Sequence, residues 1–192
     1  MTQKEAIELL ENKALDITNV KEIFDIFAGD IMIEGLVAMN LSLRTSVHER
    51  EKQYSVTMCQ LLLKLSDSKD MSVRWAVAKN PHTSIEVLEK LSSDSVNLVR
   101  ALVATNPLTP KFILKKLFND EKIVRDGLSG NPSTPLKYLE ILSNDTDTMV
   151  RLRVIENLST TKAICEKLLN DPEQNIRQGA SAKLKRINNA NQ

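Results

Sequence analysis

Five arginines recur at a nearly constant interval: Arg74, Arg100, Arg125, Arg151 and Arg177, spaced 26, 25, 26 and 26 residues apart and each preceded by Val or Ile. A guanidinium is a planar fork of donors that grips a carboxylate or a phosphate with two hydrogen bonds. A column of such forks is therefore either an anion-binding groove or a set of internal ion pairs. Asp94, Asp120, Asp145 and Asp171 keep the same interval. Because both residue types recur together, the spacing predicts a structural ladder, each Arg tied to an Asp about six residues earlier or in the next unit.

Trp75, the sole tryptophan, directly follows the first of these arginines. The aligned positions hold Gly35, Ala101, Asp126, Leu152 and Gln178, a mixture that reads as a solvent-facing column. An exposed Trp in such a column is a candidate anchor for a protein partner; the alternative is a ring folded partly onto a neighbouring helix. Little else points to chemistry. His48 and His82 are isolated, and "HERE" at 48–51 lacks the second His of a zinc-protease helix. There is no Gly-rich phosphate loop, no G-x-S-x-G and no Cys–His pairing. Cys59 and Cys165 lie far apart, with no metal-ligand spacing. The expectation is a non-enzyme with no catalytic residue, no metal site and no cofactor.

The elements that position these residues follow from the repeat. "VRWAVAKNPHTS" (73–84), "VRALVATNPLTP" (99–110) and "VRDGLSGNPSTP" (124–135) are copies of one another, and "DIMIEGLVAMN" (30–40) is a degenerate earlier copy with Glu34 at the Arg position. About six units of 25–26 residues result, the first and last atypical. Each reads as two short helices. The first carries a core column of Val37, Val77, Val103, Leu128, Val154 and Ala180, followed by a mostly small residue that allows close helix approach. Asn-Pro ends it, because the residue before Pro is pushed out of the helical region. Thr83, Thr109, Thr134 and Thr160 are expected to cap the second helix, with Pro110 and Pro135 at its first position. The second helix holds Ile85, Leu88 and Leu91 or their equivalents at helical spacing. One pair cannot bury its own apolar face; stacked pairs can, so the core is continuous along the stack.

This pattern resembles the leucine-rich repeat variant family, a branch of the HEAT- and armadillo-like α-solenoids, over about residues 61–180. The resemblance implies an all-α, right-handed α-solenoid in which some helices are 3₁₀. The family's iron–sulfur member has an amino-terminal cysteine cluster; nothing here matches it, and no cluster is carried over.

The expected organisation is a single solenoid domain over 1–192. It comprises an amino-terminal capping helix within 1–17, degenerate repeats over 18–66, regular repeats over 67–187 and a disordered tail over 188–192. "TQKE" at 2–5 fits a capping box, and Ile7, Leu10 and Ala14 make its apolar stripe. Between Asn40 and Leu65 the chain has more residues than other units use; Val47, Tyr54, Met58, Leu61 and Leu65 keep helical spacing, which predicts an elongated second helix.

Composition bounds the function. The chain has 192 residues, 42% apolar and 27% charged, with a net charge of +1, so the whole gives no push toward nucleic acid or membrane. Residues 1–60 carry six Lys/Arg against ten Asp/Glu, which leaves the rest basic. Two unpaired cysteines suit a reducing cytoplasm. A solenoid presents a long concave surface, so the leading reading is a protein- or peptide-binding scaffold. By analogy with HEAT-type pairs, the Val-Arg helix lines that surface, and the candidate contacts are Trp75, Lys79, Ala101, Thr105, Asp126, Leu152, Arg153 and Glu156. The alternative is nucleic-acid binding by a basic inner face, for which Arg153 and "KLKR" at 183–186 speak, and against which Asp126, Glu156 and the acidic first third speak.

Overall fold

The computed structural model describes residues 1–12, 14–46 and 55–190. The helices run in order α1 (Gln3–Leu10), α2 (Ile17–Ile26), α3 (Ile31–Ser46), α4 (Val56–Leu65), α5 (Met71–Lys79), α6 (Ile85–Leu91), α7 (Asn97–Thr105), α8 (Lys111–Leu117), α9 (Lys122–Gly130), α10 (Leu136–Leu142), α11 (Thr148–Glu156), α12 (Lys162–Leu168) and α13 (Gln174–Ala190). All are α-helices, including the first helix of each regular unit, where the resemblance left 3₁₀ structure open. Among the described residues there is no strand.

The odd-numbered helices pack side by side in one row from α1 to α13. Each even-numbered helix from α4 to α10 wedges between its own odd partner and the next one, and α12 packs chiefly on α13. The result is an α-solenoid of six helix pairs followed by α13. Its core is one continuous cluster, with Val37, Val77, Val103, Leu128, Val154 and Ala180 fully buried in a line along the odd row.

Local chemistry explains the helix starts. Thr2 and Glu5 form a reciprocal capping box at α1. Asp16, Asp70 and Asp147 accept main-chain N–H groups at the starts of α2, α5 and α11, and Ser55 and Ser84 do so at α4 and α6. The threonines behave differently from the sequence expectation. Thr83, Thr109 and Thr134 donate their hydroxyls backward to the carbonyls of Val77, Val103 and Leu128 at 2.6, 2.6 and 2.7 Å, and Thr160 does so to Val154. They close the first helix rather than open the second. A hydroxyl buried beside the orphan carbonyls of a broken helix is used as a donor. Pro110 and Pro135 accordingly sit at the cap, one position before the helix.

The ends also differ from the sequence reading. Helix α1 stops at Leu10, leaving Ala14 exposed and outside it. It packs on α3, at the start of the odd row, and α2 follows it as the first even-numbered helix, packed on α3 and α4. In the second unit both helices are long: α4 has 10 residues against seven in the later second helices, and α3, which was not expected to be long, has 16. Leu41 follows Asn40 where three later units have Pro, and α3 runs on through Asn40; the missing Pro permits this but does not compel it, since Leu158 follows Asn157 and α11 still ends at Glu156. Val47, His48 and Tyr54 lie outside the described residues. Helix α13 carries on through 188–190, past the expected start of the tail; 191–192 lie outside the described residues.

Packing is tightest between α7 and α9. A Cβ built on Gly127 would lie 2.8 Å from the Ala101 carbonyl oxygen and 3.3 Å from the Ala104 Cβ. Gly35, in α3, has nothing within 4 Å of such a Cβ. The two helical glycines should therefore respond oppositely. Gly127→Ala should destabilise by about 1–3 kcal/mol through backbone displacement, whereas Gly35→Ala should stabilise by about 0.5–1 kcal/mol through helix propensity. Denaturant midpoints of the two variants test the register of the stack.

Candidate functional site: a braced spine and the face it presents

The arginine column does two things at once. Nε and Nη2 of Arg74, Arg100, Arg125 and Arg151 hold both oxygens of Asp94, Asp120, Asp145 and Asp171. The Nε bonds are 2.6 to 2.7 Å and the Nη2 bonds 2.7 to 3.2 Å. Each Asp lies 20 residues further on, just past the second helix of the same unit. The Nη1 of the same arginine reaches back to the main-chain carbonyl of the preceding member of the Asp column. Arg74 takes Ser68 at 2.9 Å, Arg100 takes Asp94 at 2.8 Å, Arg125 takes Asp120 at 3.0 Å and Arg151 takes Asp145 at 2.8 Å. Arg177 takes Asp171 and Pro172 at 2.6 and 2.7 Å. The first four guanidiniums thus lock their own units and tie each to the one before, and Arg177 makes the backward tie. In the degenerate copy both partners change: Glu34 accepts a hydrogen bond from Ser68, at the positions where other rungs have Arg and Asp.

A second ladder runs through the asparagines, which sequence reasoning used only as helix stops. The Nδ2 of Asn106 donates to the carbonyls of Ala78 and Asn80, that of Asn131 to Ala104 and Asn106, and that of Asn157 to Ser129 and Asn131. Their Oδ1 atoms accept the N–H two residues on. Carbonyls freed by the Asn-Pro break are thereby satisfied by the next unit. Asn40 does the same to Leu10 and Asn12, and Lys183 replaces Asn at the last step by donating to Ile155 and Asn157. Burial holds the Lys183 ammonium below the usual lysine range. The Asn80 Nδ2 is buried with no partner, because α3 runs through Asn40 and spends the corresponding carbonyls on its own helix.

A third set was missed entirely. Lys90, Lys116 and Lys167 donate to Ser66, Ser92 and Ser143, one unit earlier, at 2.9, 2.9 and 3.1 Å. The recurring interval carried that signal. In the intervening unit the two positions hold Phe118 and Ile141, so a polar rung is exchanged for an apolar one, and Phe118 stacks on Tyr138 with ring centroids 4.5 Å apart.

The candidate contact residues fall along the outward side of the odd row. Trp75 is 37% exposed, with the Lys79 ammonium 5.2 Å from its ring centroid. Thr105 is exposed and donates to the Leu102 carbonyl at 3.0 Å. Arg153 and Glu156 are exposed and hydrogen-bonded at 3.1 Å. Asp126 is half-buried, 3.7 Å from the Arg153 Nε; burial pushes its carboxyl above the usual range, against the pull of Arg153 and Lys122. Two candidates are not available as contacts in the expected way. Ala101 is only 8% exposed, because α9 closes over it at Gly127. Leu152 is half-buried and packs against the core. His82 and the half-buried Cys59 are neighbours, the thiol lying 3.9 Å from the His82 carbonyl oxygen; Cys165 is buried elsewhere.

These features define a helical-repeat solenoid with a polar brace along its length. A solved structure described as a leucine-rich repeat variant with a novel repetitive structural motif is similar to it. The TM-score is 0.53 and the identity 21%, over 94% of this chain and 81% of that one. At that identity the likeness is one of fold. No family model matches the chain, and no curated protein matches it in sequence. Among the described residues no helix is long and apolar enough to cross a membrane.

Two outcomes follow from the Arg–Asp rungs. The Arg151 and Asp171 side chains are 9% and 4% exposed, so Arg151→Met alone should cost about 3–5 kcal/mol by stranding a buried carboxylate, while Arg151→Met with Asp171→Leu should recover much of that loss. Thermal melting of the single and double variants compares them. The second outcome concerns acid. Burial pushes Asp94, Asp145 and Asp171 upward, but the arginine forks and main-chain N–H donors outweigh it, and the Arg100 fork pulls Asp120 down directly; all four carboxyls end below the usual range. A lowered folded-state value stabilises fully above the unfolded value, about 3.9 for Asp, and that stabilisation is lost as pH falls through the folded-state values. Melting temperature should therefore drop steeply below about pH 4, and the Arg151→Met/Asp171→Leu variant should show a shallower drop.

Proposed function

We propose that this protein is a non-enzymatic binding scaffold that takes a protein or peptide segment on the outward face of the odd-numbered helices. The observation that carries this reading is the contrast between the spine and the face. The four paired arginines are committed to carboxylates, so they add little free positive field. The face itself carries Trp75, Lys79, Thr105, Asp126, Arg153 and Glu156, mixed in charge and size. A uniform polyanion finds no continuous row of free cations in that set, whereas a protein segment finds an aromatic anchor and paired polar groups. The odd helices touch directly, while the even ones are mostly held apart by them. Such spacing favours a stack curved toward the odd row, which supports reading its face as the inner one.

The test begins with the indole. In the free protein Trp75 emission should lie at long wavelength and be quenched readily by iodide; blue-shifted, quencher-resistant emission would count against an exposed anchor. Proteins of the host should next be captured through a photo-crosslinker at Thr105, on the odd row, and through one at Glu89, on the even row. A partner captured only from Thr105 should lose about 2 kcal/mol or more of affinity on Trp75→Ala, with the melting temperature nearly unchanged. Capture of nuclease-sensitive material, with affinity falling linearly in the logarithm of salt, would instead favour nucleic acid.

A further inference from the structure

The middle of the odd-row face differs from its flanks. Helices α7 and α9 approach so closely at Gly127 that Ala101 is covered. The positions one turn further on hold only Thr105 and Gly130, both exposed and both short. On one side stands α5 with Trp75 and Lys79; on the other stands α11 with Arg153 and Glu156. Neighbouring packed helices are separated by about 8–10 Å, so the face has a low stretch two helices wide between taller walls. Asp126 is the one ionisable group at these contact positions of α7 and α9.

The charges around Asp126 do not balance. Lys122, one turn before it on α9, is taken by Asp147, with Nζ 2.9 Å from Oδ2. Arg153 is hydrogen-bonded to Glu156 at 3.1 Å and stays 3.7 Å from the Asp126 Oδ1, beyond hydrogen-bond reach. That Oδ1 is buried and receives no hydrogen bond. Five charges meet here, two cations against three carboxylates, and Arg153 is shared between Glu156 and Asp126. The Asp126 side chain is nonetheless 30% exposed, so a cation supplied from outside can approach the carboxyl beside its buried oxygen and offset the excess negative charge.

We infer that the partner is a basic peptide segment that lies in this low stretch and sets a Lys or Arg side chain on Asp126, with its neighbouring residues against Trp75. The inference rests on the odd-row face being the binding surface. Charge complementarity selects the sign of the partner. An acidic segment meets Asp126 and Glu156 where the adjacent cations, Lys122 and Arg153, are already engaged. A cation from the partner balances the third carboxylate, and the electron-rich face of the Trp75 ring favours cations as well. Either Arg or Lys fits, since each brings a cation to the accessible side of the Asp126 carboxyl.

Selection from a displayed random dodecapeptide library on the intact protein tests this, followed by fluorescence titration of the selected peptides against variants. The expected peptides carry Lys or Arg, and their affinity falls roughly tenfold or more on Asp126→Asn and also on Trp75→Ala. The Asn substitution is nearly isosteric, and unchanged melting temperature establishes that the fold is intact. Asp126→Lys should turn the selection toward acidic peptides. Peptides lost on Trp75→Ala but indifferent to Asp126→Asn overturn this inference and leave the odd-row reading standing. A selection that yields no peptide sensitive to Trp75→Ala overturns both.

Discussion

Each of the four regular repeats in this solenoid depends on one guanidinium that belongs to two units. Its Nε and Nη2 close the second helix of its own unit onto the first through an Asp carboxylate, and its Nη1 holds the main chain of the unit before. The hydrophobic core alone does not specify this arrangement. Aliphatic burial is nondirectional and tolerates slippage of one helix pair over the next. A bidentate fork with a fixed third contact does not, because a shift of one residue breaks three hydrogen bonds in a half-buried setting. Burial supplies the driving force, and the Arg–Asp chain supplies the register.

The positions where the pattern lapses show how closely partners are matched. Where Arg gives way to Glu34, the Asp position gives way to Ser68, and a hydrogen bond survives. Where the Lys–Ser rung is lost, Phe118 and Ile141 replace both members, and the aromatic ring finds Tyr138. At the last step Lys183 does the work of Asn157 with a longer, single-ended donor. The unmatched case is Asn80: its own side chain is standard, but the preceding unit has no Pro and its helix runs on, so the carbonyls it would meet are spent. A buried polar group is stable only when its partner is supplied from another unit, so the two positions change together or one is stranded.

The same economy frees the face. Because the repeating charges are consumed in the spine, the adjacent column varies from Trp75 to Ala101 to Asp126 to Leu152 without disturbing the stack. A rigid scaffold with a variable, mixed surface is the arrangement by which repeat proteins acquire a particular partner. The close approach at Gly127 adds shape to that chemistry: it removes tall side chains from two neighbouring helices and leaves Asp126 as the charge between the walls.

The interval of 25–26 residues, the all-α class, the stacked helix pairs and the line of buried aliphatics were all legible in the chain, because periodic apolar positions and Asn-Pro breaks act locally and recur. The recurrence of Arg with Asp was legible too, with the Asp six residues earlier and the one further on both open as partners; that the further Asp gives its carboxylate while the nearer one offers only its carbonyl was not. That choice is made by the space between units. The direction of the threonine hydroxyls, the Asn ladder, the covering of Ala101 and the inward turn of Lys183 were likewise decided only when the helices met. Each depends on which orphan carbonyl or neighbouring backbone a side chain finds across a unit boundary. A sequence pattern records residue types at intervals; hydrogen-bond partners and close contacts are properties of distances between segments, and only the packed stack sets those.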